Sequence, residues 1–210
     1  LKSLVSRFIR GNFFIPDPRR GWNRYAFRKA CELIRSGNIS HIITTSPPHS
    51  TQLIGLRLKR RFPHLKWVAD MRDPWTDIYY YDMFRPSLPA RMIDQHLEKK
   101  VLNRADRIIT VGQSLASSFA ERGGNLSVKT DVLPNGYDEE DFQGLASVTP
   151  ERFTITYVGT LSPAYPVKGF IEAVRDLRID GRPVALRFVA TVPGDIQALF
   201  PAGDDDNSPE

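Results

Sequence analysis

Four side chains capable of polar chemistry crowd into VADMRDPW: Asp70, Arg72, Asp73 and Trp75. Carboxylates accept hydroxyl hydrogen bonds, a guanidinium donates them, and an indole face stacks on a sugar ring. The set therefore suits a polyhydroxyl ligand better than an apolar one. Each residue also has a plainer role. Asp73-Pro74 is ordinary turn chemistry, Arg72 can pair with Asp70 or Asp73, and Trp75 can anchor the edge of a core. A second set is Ser46-Pro47-Pro48-His49. Ser46 reads as the cap of a helix whose first position is Pro47, where a missing N–H costs nothing. Free N–H groups at such a start favour phosphate or carboxylate, and His49 is placed to donate to a ligand hydroxyl or move a proton. The alternative is that Ser46 only caps and His49 is exposed. Further on, Gly159-Thr160 allows close backbone approach to a phosphate.

Other chemistries lack their residues. No GxGxxG or GxxxxGK[ST] occurs, so no dinucleotide or P-loop site is expected, and no nucleophile elbow is present. His41, His49, His64 and His96 show no metal-ligand spacing, and there is no CxxC. Cys31 is the only cysteine, which excludes an intrachain disulfide and fits a reducing compartment.

The elements that must position these residues alternate. HIITTS (41–46) and KWVADM (66–71) read as short buried strands, and the segment between them as a helix with Ile54, Leu58 and Phe62 on one face. Residues 89–103 read as an amphipathic helix carrying Met92, Ile93, Leu97, Val101 and Leu102. ADRIITVG (105–112) reads as a strand, SLASSFAERGG as a helix capped at Ser114 and stopped by Gly123 and Gly124, and VKTDVLPNGYD (128–138) as a short strand. This order predicts an α/β fold, a Rossmann-like parallel sheet with helices on both faces. Then FTITYVGT (153–160), the helix KGFIEAVRDLRID and the strand VALRFVA start an incomplete second βαβ unit. The expected domains are 1–140, a linker 141–152, the truncated unit 153–200 and an acidic tail 201–210. The chain starts with leucine, so a truncated or processed start is expected.

The chain has 210 residues, 41% of them apolar, enough for a core without disulfides or metal. Net charge is +5, distributed unevenly: residues 1–29 hold eight basic groups against Asp17 alone. Together with Phe8, Ile9, Phe13 and Phe14 these fit an anionic membrane surface, the alternative being a solvated face. No run of about 18 apolar residues exists to span a bilayer, and LKSLVSRFIRGNFF makes a poor signal peptide. No nucleic-acid partner is expected, because no RRM, KH, zinc or helix-turn-helix signature accompanies the basic charge.

Taken in order, TTSPPHSTQLIGLRLK, WVADMRDPWTD, ADRIITVGQSLA, LPNGYDEEDF and FTITYVGTLSP resemble the blocks of bacterial glycosyltransferase family 4, of the GT-B fold. IPDPRRGW (15–22) resembles a segment ahead of the first block. The resemblance implies two Rossmann-like domains facing a cleft, in a retaining, metal-independent transferase. Such an enzyme moves a hexose from a nucleotide sugar to a glycan or lipid-linked acceptor in cell-envelope polysaccharide synthesis. It needs no cofactor, and it works in the cytoplasm or peripherally on the inner membrane face. It also implies acceptor binding by Ser46, His49, Asp70, Arg72, Asp73 and Trp75. Asn135 and Gly136 would mark the crossing to the donor side, followed by Gly159, Thr160 and Lys168. The family's glycine-rich first strand, its basic pair for the diphosphate and its ExxxxxxxE motif have no counterpart here. These residues alone are therefore expected to be inactive, since leaving-group charge would go unstabilised. About 380 to 420 residues are expected for two complete domains. The alternative is a non-enzymatic binding module on a Rossmann-like scaffold.

Overall fold

A computed structural model describes residues 2–122, 126–146, 150–162, 165–192 and 194–198. The chain divides into two units, Leu1–Tyr137 and Asp138–Glu210. Gly123, Gly124 and the acidic tail lie outside the described residues.

In the first unit the β-branched runs pair as the alternation predicts. Strands β1 (His41–Ser46), β2 (Lys66–Met71), β3 (Arg107–Thr110) and β4 (Thr130–Val132) form one parallel sheet in the order β1-β2-β3-β4. Ser46 faces Met71, Met71 faces Thr110, and Thr110 faces Val132, so the four carboxyl ends fall in one row. Alternate residues Trp67, Ala69 and Met71 of β2, with Ile108 of β3, point to one face and are fully buried. The opposite face is shallower, with Val68 and Ile109 half-buried.

Helices flank this sheet: α1 (Lys2–Phe13), α2 (Asn23–Ser36), α3 (Ser50–Arg61), α4 (Leu88–Arg104) and α5 (Gln113–Glu121). Val101, Leu102 and Phe119 pack on Trp67 and Ile108, while Cys31, Ile34, Ile54, Leu58 and Leu65 join α2 to α3. Gly55 lets α3 lie directly on Trp67: a Cβ there would sit 2.4 Å from the indole. Helix α1 is pinned beside the 3-10 turn Tyr81–Phe84. A Cβ on Gly11 would meet the Phe84 carbonyl at 2.3 Å. The Asn12 amide donates to the Arg85 carbonyl at 3.1 Å and accepts from the Ser87 N–H at 2.8 Å.

Several local expectations for the first unit differ from what forms; among them, Gly112 and not Ser114 takes the cap position of α5, with no side-chain cap hydrogen bond. The helix expected from Pro47 begins at Ser50, after cis bonds at Ser46-Pro47 and Pro47-Pro48. The strand expected over 128–138 pairs only at Thr130–Val132. On α4, Met92 and Ile93 face outward, and the buried side carries Ala90, Asp94, Glu98, Val101 and Leu102.

The second unit pairs β5 (Thr154–Thr160) with β8 (Ala185–Thr191) in parallel, in register from Thr154–Ala185 to Thr160–Thr191. Between them run α6 (Lys168–Arg175) and a small hairpin, β6 (Arg178–Ile179) and β7 (Arg182–Pro183). The helix expected through Asp180 stops early because Asp180-Gly181 turns with φ of 51° and 75°, a hairpin conformation that these two residues favour. Leu161, Ile171 and Ile196 of the short helix α7 (Gly194–Gln197) form its buried centre. Val158 and Val189 remain 73% and 56% exposed.

Candidate functional site

The row of strand ends in the first unit is tied together from below. Gln52, fully buried on α3, donates through Nε2 to the Thr44 carbonyl (3.1 Å), the Ser46 hydroxyl (3.0 Å) and the Asp70 carbonyl (2.9 Å). Its Oε1 accepts from the Thr44 hydroxyl at 2.6 Å, which in turn accepts from the Trp67 indole at 2.8 Å. Ser46 is consequently buried and donates to the Asp70 carbonyl at 3.2 Å. It locks β1 to β2 and caps no helix.

The α3 cap comes from a distant segment. Asp17 accepts from the Ser50 N–H at 2.7 Å and from the Ser50 hydroxyl at 3.0 Å. The Thr51 and Gln52 amides donate to the carbonyls of Pro48 and His49. The anion position expected at this helix start is thus filled by the chain's own carboxylate.

Beyond Met71 the loop is held residue by residue. Arg72 is exposed, and its guanidinium donates to the Asn135 side chain, joining the exits of β2 and β4. Trp75 is 2% exposed and donates through Nε1 to Asp94 at 2.8 Å. Its ring stacks on the His49 imidazole, centroids 5.0 Å apart at 11°. Thr76 donates to Glu98 at 2.6 Å, Arg122 donates to Glu98 at 2.8 Å, and Arg122 also pairs with Asp77.

A cleft of about 420 Å³ opens over this arrangement, lined by Arg10 and Phe14, Asp17 and Arg19, the Pro47-Pro48-His49 turn, Trp75, Tyr80, Tyr81, Phe84 and Asp94. Its size is typical of a small-ligand site. Burial drives the His49 imidazole down to about 4, against the opposing pull of Asp17, Asp73 and the Pro74 carbonyl. The ring is therefore neutral at neutral pH. Burial raises Asp94 to about 6, with hydrogen bonds from Trp75 and from the Tyr81 hydroxyl (2.9 Å) partly offsetting it. Burial and the neighbouring Asp94 carboxylate together push the Tyr81 phenol well above its usual range. A shifted carboxyl and a shifted imidazole in one cleft mark a candidate functional site.

Of the residues singled out by sequence, His49 and Trp75 line the cleft, Trp75 as a floor and not as an open stacking face. Asp73 is half-buried beside it, and its charge acts on His49. Asp70, next to last in β2, is half-buried, Arg72 reaches Asn135 at the sheet edge, and Gly136 is exposed after β4. In the second unit Gly159 has φ of 144°, and the carbonyl of Thr160 accepts from the Tyr157 hydroxyl at 3.1 Å. Lys168 opens α6 and pairs at 3.8 Å with Glu172, both exposed.

Sequence reasoning missed Arg10, Arg19, Tyr80, Tyr81 and Asp94 as cleft residues. A signal did exist for Asp94: Ala90, Asp94, Glu98 and Val101 recur at helical spacing, an acid pair within an otherwise apolar stripe.

Residues 7–136 match a family described as the glycosyl transferase 4-like domain. That span contains every residue lining the cleft. No curated protein matches the chain.

Proposed function

Because the chain belongs to the glycosyl transferase 4-like family, we propose that its first unit holds the acceptor of a sugar transfer, in the cleft over His49 and Trp75. The donor is a nucleotide sugar and the transferred group a hexose. The acceptor is a glycan or lipid-linked saccharide of cell-envelope polysaccharide synthesis, in the cytoplasm. The acceptor hydroxyl bonds to the anomeric carbon, the bond to the nucleoside diphosphate breaks with retention, and the hydroxyl proton leaves with the diphosphate. No cofactor is required. Asn135, Gly136, Gly159, Thr160 and Lys168 serve the donor side.

The observation that carries this reading is the cleft's composition. Arg10, Arg19 and the Tyr80 hydroxyl can donate to sugar oxygens, and Asp94 can accept, while Asp73, outside the lining, acts on His49 through its charge. The neutral His49 ring, fixed on Trp75, can do either. Ser46 and Asp70 act through the backbone they align.

The test is a transfer assay with the complete enzyme. Asp73→Asn, His49→Ala and Arg72→Ala should each lower turnover about a hundredfold, as misplaced reactants do, with circular dichroism unchanged. Normal turnover in all three would sink the assignment. Acceptor binding that depends on His49 and Asp73, with no turnover by the complete protein on any nucleotide sugar, would favour a binding module.

A further inference from the structure

The His49 imidazole owes its position to a residue with which it shares no hydrogen bond. Its Nδ1 is buried and has no hydrogen-bond partner among the described residues. A buried nitrogen in that state calls for a partner from outside the chain, which a ligand hydroxyl supplies. With no bond at Nδ1, the plane of the ring is set by the surface it lies on, the Trp75 indole at 5.0 Å and 11°. Such a near-parallel pair keeps its geometry only as well as its lower ring is held.

Trp75 is held through its Nε1 by Asp94. The indole donates to one oxygen of this carboxylate at 2.8 Å, and the Tyr81 hydroxyl donates to the other at 2.9 Å. Tyr81 is braced in turn by Arg91, whose guanidinium lies 5.2 Å from the centre of its ring. Asp94 and Trp75 are both buried. An indole N–H can only donate, so without an acceptor at position 94 it is left buried and unpaired. Burial lowers His49, and the charges opposing it are those of Asp17 and Asp73. Asp94 therefore bears on the ring through the indole and not through its own field.

We infer that Asp94 is a positioning residue for sugar transfer: by accepting from Trp75 it fixes the indole, and the indole fixes the ring that meets the acceptor hydroxyl. What position 94 must supply is an acceptor oxygen, not a charge. An amide meets that need, since its oxygen accepts from Trp75 and its NH2 donates to the Tyr81 hydroxyl. The role in transfer rests on the acceptor reading, whereas the hold on His49 does not.

The test compares Asp94→Ala, Asp94→Asn and Trp75→Phe in the complete enzyme. Asp94→Ala and Trp75→Phe break the same bond from opposite sides. Each should lower kcat about tenfold or more, with KM for the donor unchanged. Asp94→Asn, which keeps the bond, should stay within about twofold of the parent. Placed on His49→Ala, Asp94→Ala should add nothing, because residues that act in series are not additive. His49 itself is followed by its imidazole proton resonances against pH, with His49→Gln assigning them. Asp94→Ala should move the midpoint up from about 4 as the ring leaves its buried place, and Asp94→Asn should leave it there. Circular dichroism should match the parent throughout; should Asp94→Ala fail to fold, Trp75→Phe carries both expectations. An Asn variant as impaired as the Ala variant would overturn the inference by giving position 94 a charged role of its own. So would an Asp94→Ala effect that persists in full on His49→Ala, or a His49 midpoint that Asp94→Ala leaves unmoved. A midpoint that moves while transfer does not would leave the hold on His49 standing and refute the acceptor reading.

Discussion

Past Met71 the chain is anchored to helices at almost every step: Trp75 to Asp94, Thr76 to Glu98, and Asp77 to Arg122 just beyond α5. Past Thr160 it is held differently. The Leu161 N–H donates to the Thr191 carbonyl at 3.2 Å, extending the strand pair, and the Leu161 side chain fills a small apolar centre. Both are strand exits in parallel sheets, where ligands bind. The first is fixed by buried acids, and the second by backbone hydrogen bonds, the Tyr157 hydroxyl on the Thr160 carbonyl and apolar side chains. Buried carboxylates are costly unless fully partnered. The loop partners both oxygens of Asp94 and one oxygen of Glu98, whose Oε1 stays buried without a hydrogen bond, so its arrangement is fixed by four donors. Among the described residues of the second unit no carboxylate is buried.

The contrast is broken most severely at Arg122. Its removal leaves Glu98 fully buried with Thr76 as its remaining hydrogen-bond donor. Arg122→Ala should cost about 3 kcal/mol or more in urea unfolding, as loss of one member of a buried pair does. Replacing both partners, Glu98→Leu with Arg122→Met, should recover most of that loss. If the single variant were as stable as the parent, the frame would not be what fixes this loop.

Titration sharpens the comparison next, because two neighbours in the cleft oppose each other. Asp94 rises from 3.8 to about 6 in the folded state. Between those values the native state holds a proton that the unfolded chain has lost, so stability falls as pH rises. His49 drops from 6.5 to about 4. There the unfolded chain holds the proton, so stability rises with pH. Each slope is about 1.4 kcal/mol per pH unit. The buried Glu98 carboxyl is also raised and adds to the falling slope, so His49→Gln should make stability fall more steeply between pH 4 and 6 and Asp94→Asn should tilt it toward rising, read by denaturation at fixed pH. Identical slopes in the two variants would contradict the burial of both groups.

The smallest effect belongs to the second unit. Lys168 and Glu172 are an exposed i,i+4 pair at 3.8 Å, and Lys168→Ala should change stability by about 0.5 kcal/mol or less. A drop of the size expected at Arg122 would show that this unit, too, has a polar frame.

These regions also mark what could be read in the sequence. The strands HIITTS and KWVADM, their parallel pairing and the clustering of polar residues at their ends follow from alternation and β-branching alone. The acid pair on α4 does not. Periodicity placed Met92 and Ile93 inward, because it treats a carboxylate as an outward residue. Asp94 and Glu98 turn inward because Trp75, Tyr81, Thr76 and Arg122 come from elsewhere in the chain to meet them. Ser46 departs from its expected role for a related reason. A serine before a helix usually caps it, but Gln52 draws this one into the sheet and Asp17 arrives from an earlier segment to do the capping. The hairpin at Asp180-Gly181 was legible from its two turn residues, although the apolar spacing on either side favoured a longer helix.

The Asp17 carboxylate at the head of α3 also bears on inhibitor chemistry. An anionic compound aimed at that amide cluster would have to evict a side chain that already makes two short bonds there. Useful compounds would leave this corner alone and take their hold from the aromatic wall and from the guanidinium groups of Arg10 and Arg19.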